Sequence, residues 1–340
     1  MFVDRSDSKL NSSRVKQPWP KGRPFKILSL DGGGIRGIFS AKVIAEISTY
    51  LPVGDNISQY FDLISGTSTG GIIAIAIGLG KDPKDILDLY LKEGKVIFPP
   101  FWTRHRAMRF AKRLFWPIHN HAALEKALRR EFESQHFGDS SARLVIPAFL
   151  GPSPQIAVFK TDHHPDYRQD WRTTAWEVAR ATSAAPTFFE GHRYNRHFFL
   201  DGGLWANNPM MCAAVEALSS YDIQPNQISI LSVGTGTRTV TLKQSLIRAG
   251  MLGWRGALST AMFLTTETAL SQARLLVGFD NVVRMEPSEA GAAIELDDWT
   301  NASALLPKDA LRSVAENVEA IRMFLTDRVH PRERFYSSSP

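Results

Sequence analysis

Two short apolar runs near the start of the chain each end in a glycine-rich turn, and a helix-like segment follows each turn. The first run is FKILSL at 25–30, before DGGGIRG at 31–37; the second is YFDLIS at 60–65, before GTSTG at 66–70. A continuous apolar run of this length is typical of a strand that is buried on both faces of a parallel sheet. The sequence therefore predicts an α/β fold with a mostly parallel central sheet between helical layers.

The rest of the chain continues this alternation before it becomes mainly helical. Helices are predicted over 37–51, 71–79 and 82–98. Strands are predicted at 143–150, 155–160, 197–200 and 228–234. From about residue 240 the pattern is helical, and no repeat or low-complexity linker interrupts it. We therefore divide the 340 residues into a flexible basic tail (1–24), a core (25–240) and a helical extension packed on the core (241–340).

Composition indicates a soluble globular protein with anionic partners. Apolar residues make up 44% and charged residues 22% of the chain, and the net charge is +6. The single cysteine, Cys212, excludes an internal disulfide and fits a reducing compartment. The first 25 residues lack the apolar region of a signal peptide, and the uncharged stretch 63–80 reads as a buried strand, turn and helix. We expect a cytoplasmic protein.

The GTSTG stretch fits the nucleophile-elbow pattern G-x-S-x-G between a strand and a helix. Side chains two positions from the nucleophile would collide across so sharp a turn, and Gly66 and Gly70 remove those Cβ atoms. Ser68 then stands at a helix N-terminus, where the N–H of Thr69 and the helix dipole favour negative charge. The alternative is a Gly/Ser turn without chemistry.

The glycine-rich stretch 31–37 has two interpretations. Its G-x-G-x-x-G spacing, Gly32 to Gly37, could place backbone N–H groups around a phosphate at a helix N-terminus, as in a dinucleotide-binding loop. The same N–H groups could instead stabilise the oxyanion of an ester hydrolysis. Arg36 would either steady the loop or contact a phosphate.

A serine nucleophile requires a base, and the residues leave two candidates open: a late histidine and an aspartate at a strand end. The histidines are few, and His330 is the nearest to the late-loop position of a hydrolase triad. In FFLDGGLWANNP (198–209), Asp201 follows an apolar strand and precedes Gly202 and Gly203. It is thereby held at a sheet edge, where the active sites of open α/β folds collect. An ordinary Asp-Gly turn is the alternative.

Taken in order, DGGGIRG, GTSTG and DGG resemble the oxyanion, nucleophile and aspartate motifs of the patatin-like phospholipase family. The stretches ARATSAAPTFF (179–189) and NNP (207–209) match the pattern of that family as well. The resemblance covers roughly residues 25 to 240 and implies a patatin-like three-layer sandwich with helical additions at the C-terminus.

The resemblance also implies a reaction. Family members use a Ser-Asp dyad, so Ser68 would attack a fatty-acyl ester of a membrane phospholipid and Asp201 would take its proton. The resemblance implies no metal and no cofactor. The remaining site residues are the oxyanion group Gly32, Gly33, Gly34 and Thr69 and the elbow and motif glycines Gly37, Gly66, Gly70, Gly202 and Gly203.

A phospholipase must reach its substrate at a membrane, and the segment 98–120 has the composition for membrane contact. It interleaves aromatic and basic residues without any acid, as amphipathic helices on anionic lipid do. The candidate contacts are Trp102, Arg106, Arg109, Phe110 and Arg113. A helix packed on the core with a solvated basic face is an equal alternative. Either way, the enzyme would act peripherally at the phospholipid surface.

The family resemblance also bears on regulation and partners. A subset of bacterial patatin-like enzymes are antiphage effectors that cyclic oligonucleotides switch on, and this chain is similar to them in scale and layout. A cyclic-nucleotide activator and a homo-oligomer are therefore candidate partners, whereas a nucleic acid polymer is not expected. Two other functions compete: a nucleotide-binding protein that uses the glycine-rich loop, and a non-catalytic lipid-binding relative.

Overall fold

The structure is a computed structural model that describes residues 14–99, 118–151, 155–236 and 257–337. Its strands are β1 Phe25–Leu30, β2 Leu63–Gly66, β3 Arg143–Gly151, β4 Gln155–Lys160, β5 His192–Tyr194, β6 His197–Asp201, β7 Ile228–Val233 and β8 Val282–Met285. Its helices are α1 Gly37–Ile47, α2 Thr69–Gly78, α3 Pro83–Asp88, α4 Gly94–Ile97, α5 His121–Phe132, α6 Ala175–Thr182, α7 Gly203–Ala206, α8 Met210–Ser220, α9 Ala257–Val277, α10 Glu289–Ala292, α11 Trp299–Glu316 and α12 Val318–Phe324.

The strands form one sheet in the order β5-β6-β3-β2-β1-β7-β8, and β4 pairs with β3. The central pairs β3-β2, β2-β1, β1-β7 and β7-β8 are parallel, whereas β4, β5 and β6 join by antiparallel pairing. All residues of β1 and β2 are buried, as are all ten residues of α2. The prediction of a mostly parallel, doubly covered α/β sheet is confirmed.

Most of the uncharged stretch 63–80 is part of this core, since residues 63–78 form β2, the elbow and α2. Within the described ranges, no helix is long and apolar enough to span a bilayer.

Several elements differ from the predicted ones. The predicted helix 82–98 begins at Pro83 with Asp82 as its cap, but a π-helical stretch, Leu89–Glu93, interrupts it. Two short strands were not predicted: β5 has three residues and β8 has four. Neither is long enough to show a strand pattern, and β8 contains the charged residue Arg284. β8 pairs with β7, so part of the region after residue 240 belongs to the sheet.

The described part of the N-terminal tail contacts the core. Gln17 forms a bridge with Tyr221, and Arg14 donates to the Ser220 hydroxyl at 2.9 Å. Residues 14–17 therefore lie against the end of α8. The division of the chain at residues 24 and 240 stays a prediction.

Candidate active site

The active site lies where two strands approach each other end to end along one edge of β3. β2 pairs with the first residues of β3, with Ser65 opposite Val145, and β6 pairs with later ones, with Asp201 opposite Ala148. β4 occupies the other edge of β3, so β2 and β6 share the remaining edge and run toward each other. Their C-terminal ends bring together residues that are 133 positions apart.

Ser68 sits at the tip of the turn between β2 and α2. Its backbone has φ 54° and ψ −122°, a strained conformation for a residue with a side chain. The N–H of Ser68 donates to the hydroxyl of Thr182 at 3.0 Å, and that hydroxyl donates to the carbonyl of Pro147 at 2.6 Å. Thr182 thus ties the strained turn to β3. The elbow predicted from GTSTG is present.

Asp201 accepts a hydrogen bond from Ser68. The Ser68 Oγ lies 2.6 Å from Asp201 Oδ2, and the N–H of Gly203 donates to Oδ1 at 2.7 Å. Burial raises the pKa of the Asp201 carboxyl to about 6, although the hydrogen bonds from Ser68 and Gly203 act in the opposite direction. A carboxylate with a raised pKa is a stronger base than an exposed one, and it is still largely ionised at neutral pH.

No histidine takes this position in the described chain. Among the described residues, Asp201 is the side chain that accepts from the Ser68 hydroxyl. His330 is exposed and does not line the cavity beside Ser68.

The glycine-rich loop faces Ser68 from the end of β1. The N–H of Gly32 donates to the carbonyl of Asn207 at 3.0 Å, so it is already engaged. Within the described ranges, the N–H groups of Gly33, Gly34 and Thr69 have no such acceptor. Gly33, Gly34, Thr69, Ser68 and Asp201 all line one cavity. The loop therefore presents unused donors to the same space as the dyad.

Beyond the dyad this cavity is apolar. It extends between α2, the π-helical stretch, α4, α5 and the segment that follows α6. Its lining includes Ile72, Leu89, Phe98, Leu128, Phe189 and Met262. A space of this kind accommodates a hydrocarbon chain, because burial of apolar surface makes the main favourable contribution to the free energy of binding such a chain.

The other predicted residues occupy supporting or undescribed positions. A Cβ at Gly37 would overlap the side chain of Thr69, and one at Gly202 would overlap the carbonyl of Pro147 in β3. Arg36 points away from the cavity and donates to the carbonyls of Gly236 and Ala292, each at 2.9 Å. The candidate membrane contacts Trp102, Arg106, Arg109, Phe110 and Arg113 lie outside the described residues. Thr182 lies in the stretch ARATSAAPTFF, and the sequence alone predicts no role for it.

Gly66 should be among the least replaceable residues of the elbow. A Cβ at Gly66 would overlap the backbone carbonyl of Gly70, which cannot move without displacing α2. We expect Gly66→Ala to reduce the free energy of unfolding by about 3 kcal/mol or more.

Thermal unfolding of Gly66→Ala beside Gly151→Ala provides the check. A Cβ at Gly151 would meet the Phe198 ring at 3.3 Å, and a half-buried ring can yield, so we expect a loss below about 1 kcal/mol. Equal melting temperatures for the two variants would contradict the elbow argument.

A buried serine–aspartate pair, unused amide donors and an adjoining apolar cavity define the class of protein as an esterase for substrates with apolar acyl groups. The comparisons with known proteins agree. Residues 28–214 match the family model described as patatin-like phospholipase.

Three curated relatives from bacteria carry the name cGAMP-activated phospholipase. The relative from Escherichia coli is 33% identical over 82% of this chain and 85% of its own length. The relative from Vibrio cholerae is 33% identical over 82% of this chain and 86% of its own length. The relative from Pseudomonas aeruginosa is 33% identical over 72% of this chain and 73% of its own length. The chain therefore belongs to the patatin-like phospholipase family and is a lipid-hydrolysing esterase.

Proposed function

We propose that the chain hydrolyses fatty-acyl esters of membrane phospholipids with Ser68 as nucleophile and Asp201 as general base. The observation that carries this proposal is the 2.6 Å hydrogen bond between the Ser68 hydroxyl and the buried Asp201 carboxylate, which both line an apolar cavity. The competing phosphate-loop function is not favoured, because the free amides of the loop face this dyad and an apolar space.

The reaction proceeds in two stages at the same pair of side chains. Ser68 Oγ attacks the ester carbonyl carbon while its proton passes to Asp201 Oδ2, and the carbonyl oxygen becomes negative. The bond to the leaving oxygen then breaks, and Asp201 returns the proton to that oxygen, which leaves as a lysophospholipid. A water molecule, deprotonated by Asp201, attacks the acyl-serine and releases the fatty acid as the proton returns to Ser68.

The unused amides would stabilise the charge that develops in each stage. The N–H groups of Gly33 and Gly34, aided by Thr69 at the start of α2, are the donors for the oxyanion. Gly32 was predicted as a further donor, but its N–H is occupied by the Asn207 carbonyl, so we assign it to holding the loop in place.

Substrate and setting follow from the cavity and the relatives. The apolar cavity would hold the acyl chain of the substrate. The enzyme would work peripherally at a phospholipid surface. Since three relatives are named for activation by cGAMP, we infer that a cyclic nucleotide also activates this enzyme. Degradation of the host membrane in antiphage defence is the matching role, and assembly into a homo-oligomer is compatible with it.

One experiment tests the chemistry and the activation together. The purified chain is incubated with vesicles of phosphatidylethanolamine and phosphatidylglycerol, with and without cGAMP and other cyclic dinucleotides. Released fatty acid is quantified by mass spectrometry. A fluorophosphonate probe is applied in parallel, and the labelled peptide is identified.

We expect fatty acid release that a cyclic dinucleotide increases and labelling at Ser68. Labelling at another residue, or no release under any condition, would overturn the proposed chemistry. Release that is the same with every nucleotide would overturn the activation and leave the chemistry standing.

A further inference from the structure

The oxyanion loop, defined here as residues 31–34, is held by Asn207 and by further residues that lie outside the range matched by the family model. That range ends at residue 214, whereas the loop contacts the ends of β7 and β8. The main-chain N–H of Asp31 donates to the carbonyl of Val233 at 3.0 Å. The hydroxyl of Thr235 donates to the carbonyl of Gly32 at 2.6 Å.

Arg284 of β8 makes the strongest of these contacts. Its Nη1 donates to Asp31 Oδ1 at 3.0 Å and its Nη2 donates to Oδ2 at 2.6 Å, so the pair is bidentate. Nη1 also donates to the Ser232 hydroxyl at 2.7 Å. The side chains of Arg284 and Asp31 are only 7% and 1% exposed, so water does not weaken the pair appreciably.

A second set of contacts continues from the same guanidinium. Nη2 of Arg284 also pairs with Glu286, and the other oxygen of Glu286 accepts from the N–H of Gly236 at 2.8 Å. The carbonyl of Gly236 in turn accepts from Arg36, which follows the loop in sequence. Asp31 and Arg36, on either side of the glycines, are therefore both connected to Arg284, Asp31 directly and Arg36 through Gly236 and Glu286.

This arrangement leaves the loop little freedom. A Cβ at Gly33 would overlap Thr235, and one at Gly34 would meet the carbonyl of Leu296. A buried ion pair contributes little net stability compared with apolar residues of similar volume, because both charges must be desolvated. Its directional, bidentate geometry, in contrast, fixes where Asp31 and the following amides lie.

We propose that Arg284 is a positioning residue for the reaction: by binding Asp31 it aims the N–H groups of Gly33 and Gly34 at the oxyanion. Arg284 does not line the cavity, so it acts through the loop and does not touch the substrate. This inference deepens the proposed function and rests on it. It also gives β8, at the far edge of the sheet, a part in catalysis.

The test replaces Arg284 by Met, which is apolar and of similar length, and by Lys, which keeps the charge but cannot bind both carboxylate oxygens in a plane. The matched control is Arg332→Met. Arg332 pairs with Asp162 at 2.7 Å, the two side chains are 1% and 0% exposed, and neither lines the cavity. Both arginines are thus buried in ion pairs, but only the pair of Arg284 includes a residue of the loop.

Two measurements are made below the melting temperature of each variant: kcat and KM on p-nitrophenyl butyrate, and the rate of fluorophosphonate labelling of Ser68. Loss of one oxyanion donor costs about 10²- to 10³-fold in kcat. In Arg284→Met the N–H groups of Gly33 and Gly34 would be present but wrongly oriented. We therefore expect this variant to lose about 10- to 100-fold in kcat and in labelling rate, with KM nearly unchanged. Arg284→Lys should lose less, and it keeps the test decisive if Arg284→Met does not fold.

The control separates positioning from stability. Arg332→Met should lower the melting temperature and leave kcat within about twofold of the parent. The inference would be overturned if Arg284→Lys, or a folded Arg284→Met, had the kcat and labelling rate of the wild type. It would also be overturned if Arg332→Met lost as much kcat as the Arg284 variants. If the parent chain itself is not labelled at Ser68, it is the proposed function that fails, so the two failures are distinguishable.

Discussion

Replacement of Ser68 by alanine is expected to reduce fatty acid release by a factor of about 10⁴ or more, since removal of a catalytic nucleophile leaves only substrate binding and oxyanion stabilisation. Alanine retains the Cβ of serine, so the turn between β2 and α2 can form. The bond lost is the hydroxyl donation to Asp201, a contact that serves the chemistry. Release from phospholipid vesicles and labelling by a fluorophosphonate should vanish together.

Ser65→Ala is the matched control for this variant. Ser65 is three residues earlier, is also buried, and donates its hydroxyl to the carbonyl of Val145 at 2.8 Å. Its loss should cost about 1 kcal/mol of stability and leave the rate of hydrolysis unchanged. Substantial hydrolysis by Ser68→Ala, or an equal loss of activity in Ser65→Ala, would show that the nucleophile lies elsewhere.

The sequence allowed the sheet and the elbow to be predicted because both depend on local patterns. A buried strand, a sharp turn and a helix are specified within residues 60–79. A Cβ at Gly66 would overlap the Gly70 carbonyl inside that stretch, whereas one at Gly70 would overlap the carbonyls of Leu30 and Asp31 at the end of β1. Asp201 was found for the same reason, since a strand end followed by two glycines is visible in the sequence. The family resemblance added the expectation that this carboxyl group meets Ser68.

The supporting contacts could not be predicted, because they join distant parts of the chain without a local pattern. Arg284 and Asp31 are 253 positions apart, and β8 is too short to be recognised as a strand. Thr182 likewise reaches Ser68 across 114 positions through a single hydroxyl. Such contacts depend on the order of the strands in the sheet. The alternation of strands and helices along the sequence does not specify that order.

Replacement of Asp201 by asparagine is the second large effect, with an expected loss of about 10³- to 10⁴-fold in kcat. Asparagine has nearly the volume of aspartate and can still accept a hydrogen bond from Ser68, but it cannot take the proton. Asp62→Asn is the control. Asp62 is buried, accepts from the main-chain N–H of Lys26 at 2.9 Å and pairs with Arg23 at 2.7 Å, away from the cavity. That variant should lose stability and keep its kcat.

The pH dependence gives an independent check on Asp201. Only the ionised carboxylate accepts a proton, and burial raises the pKa of Asp201 to about 6. Hydrolysis should therefore rise with pH, level off above about 7, and fall roughly tenfold per unit at pH values well below 6. Burial also raises the pKa of Asp31 to about 6, so the profile of Asp31→Asn is needed. If Asp201 is the base, the residual activity of Asp31→Asn still falls at acid pH, whereas that of Asp201→Asn no longer does. The reverse pattern would assign the fall at acid pH to Asp31 and contradict the dyad.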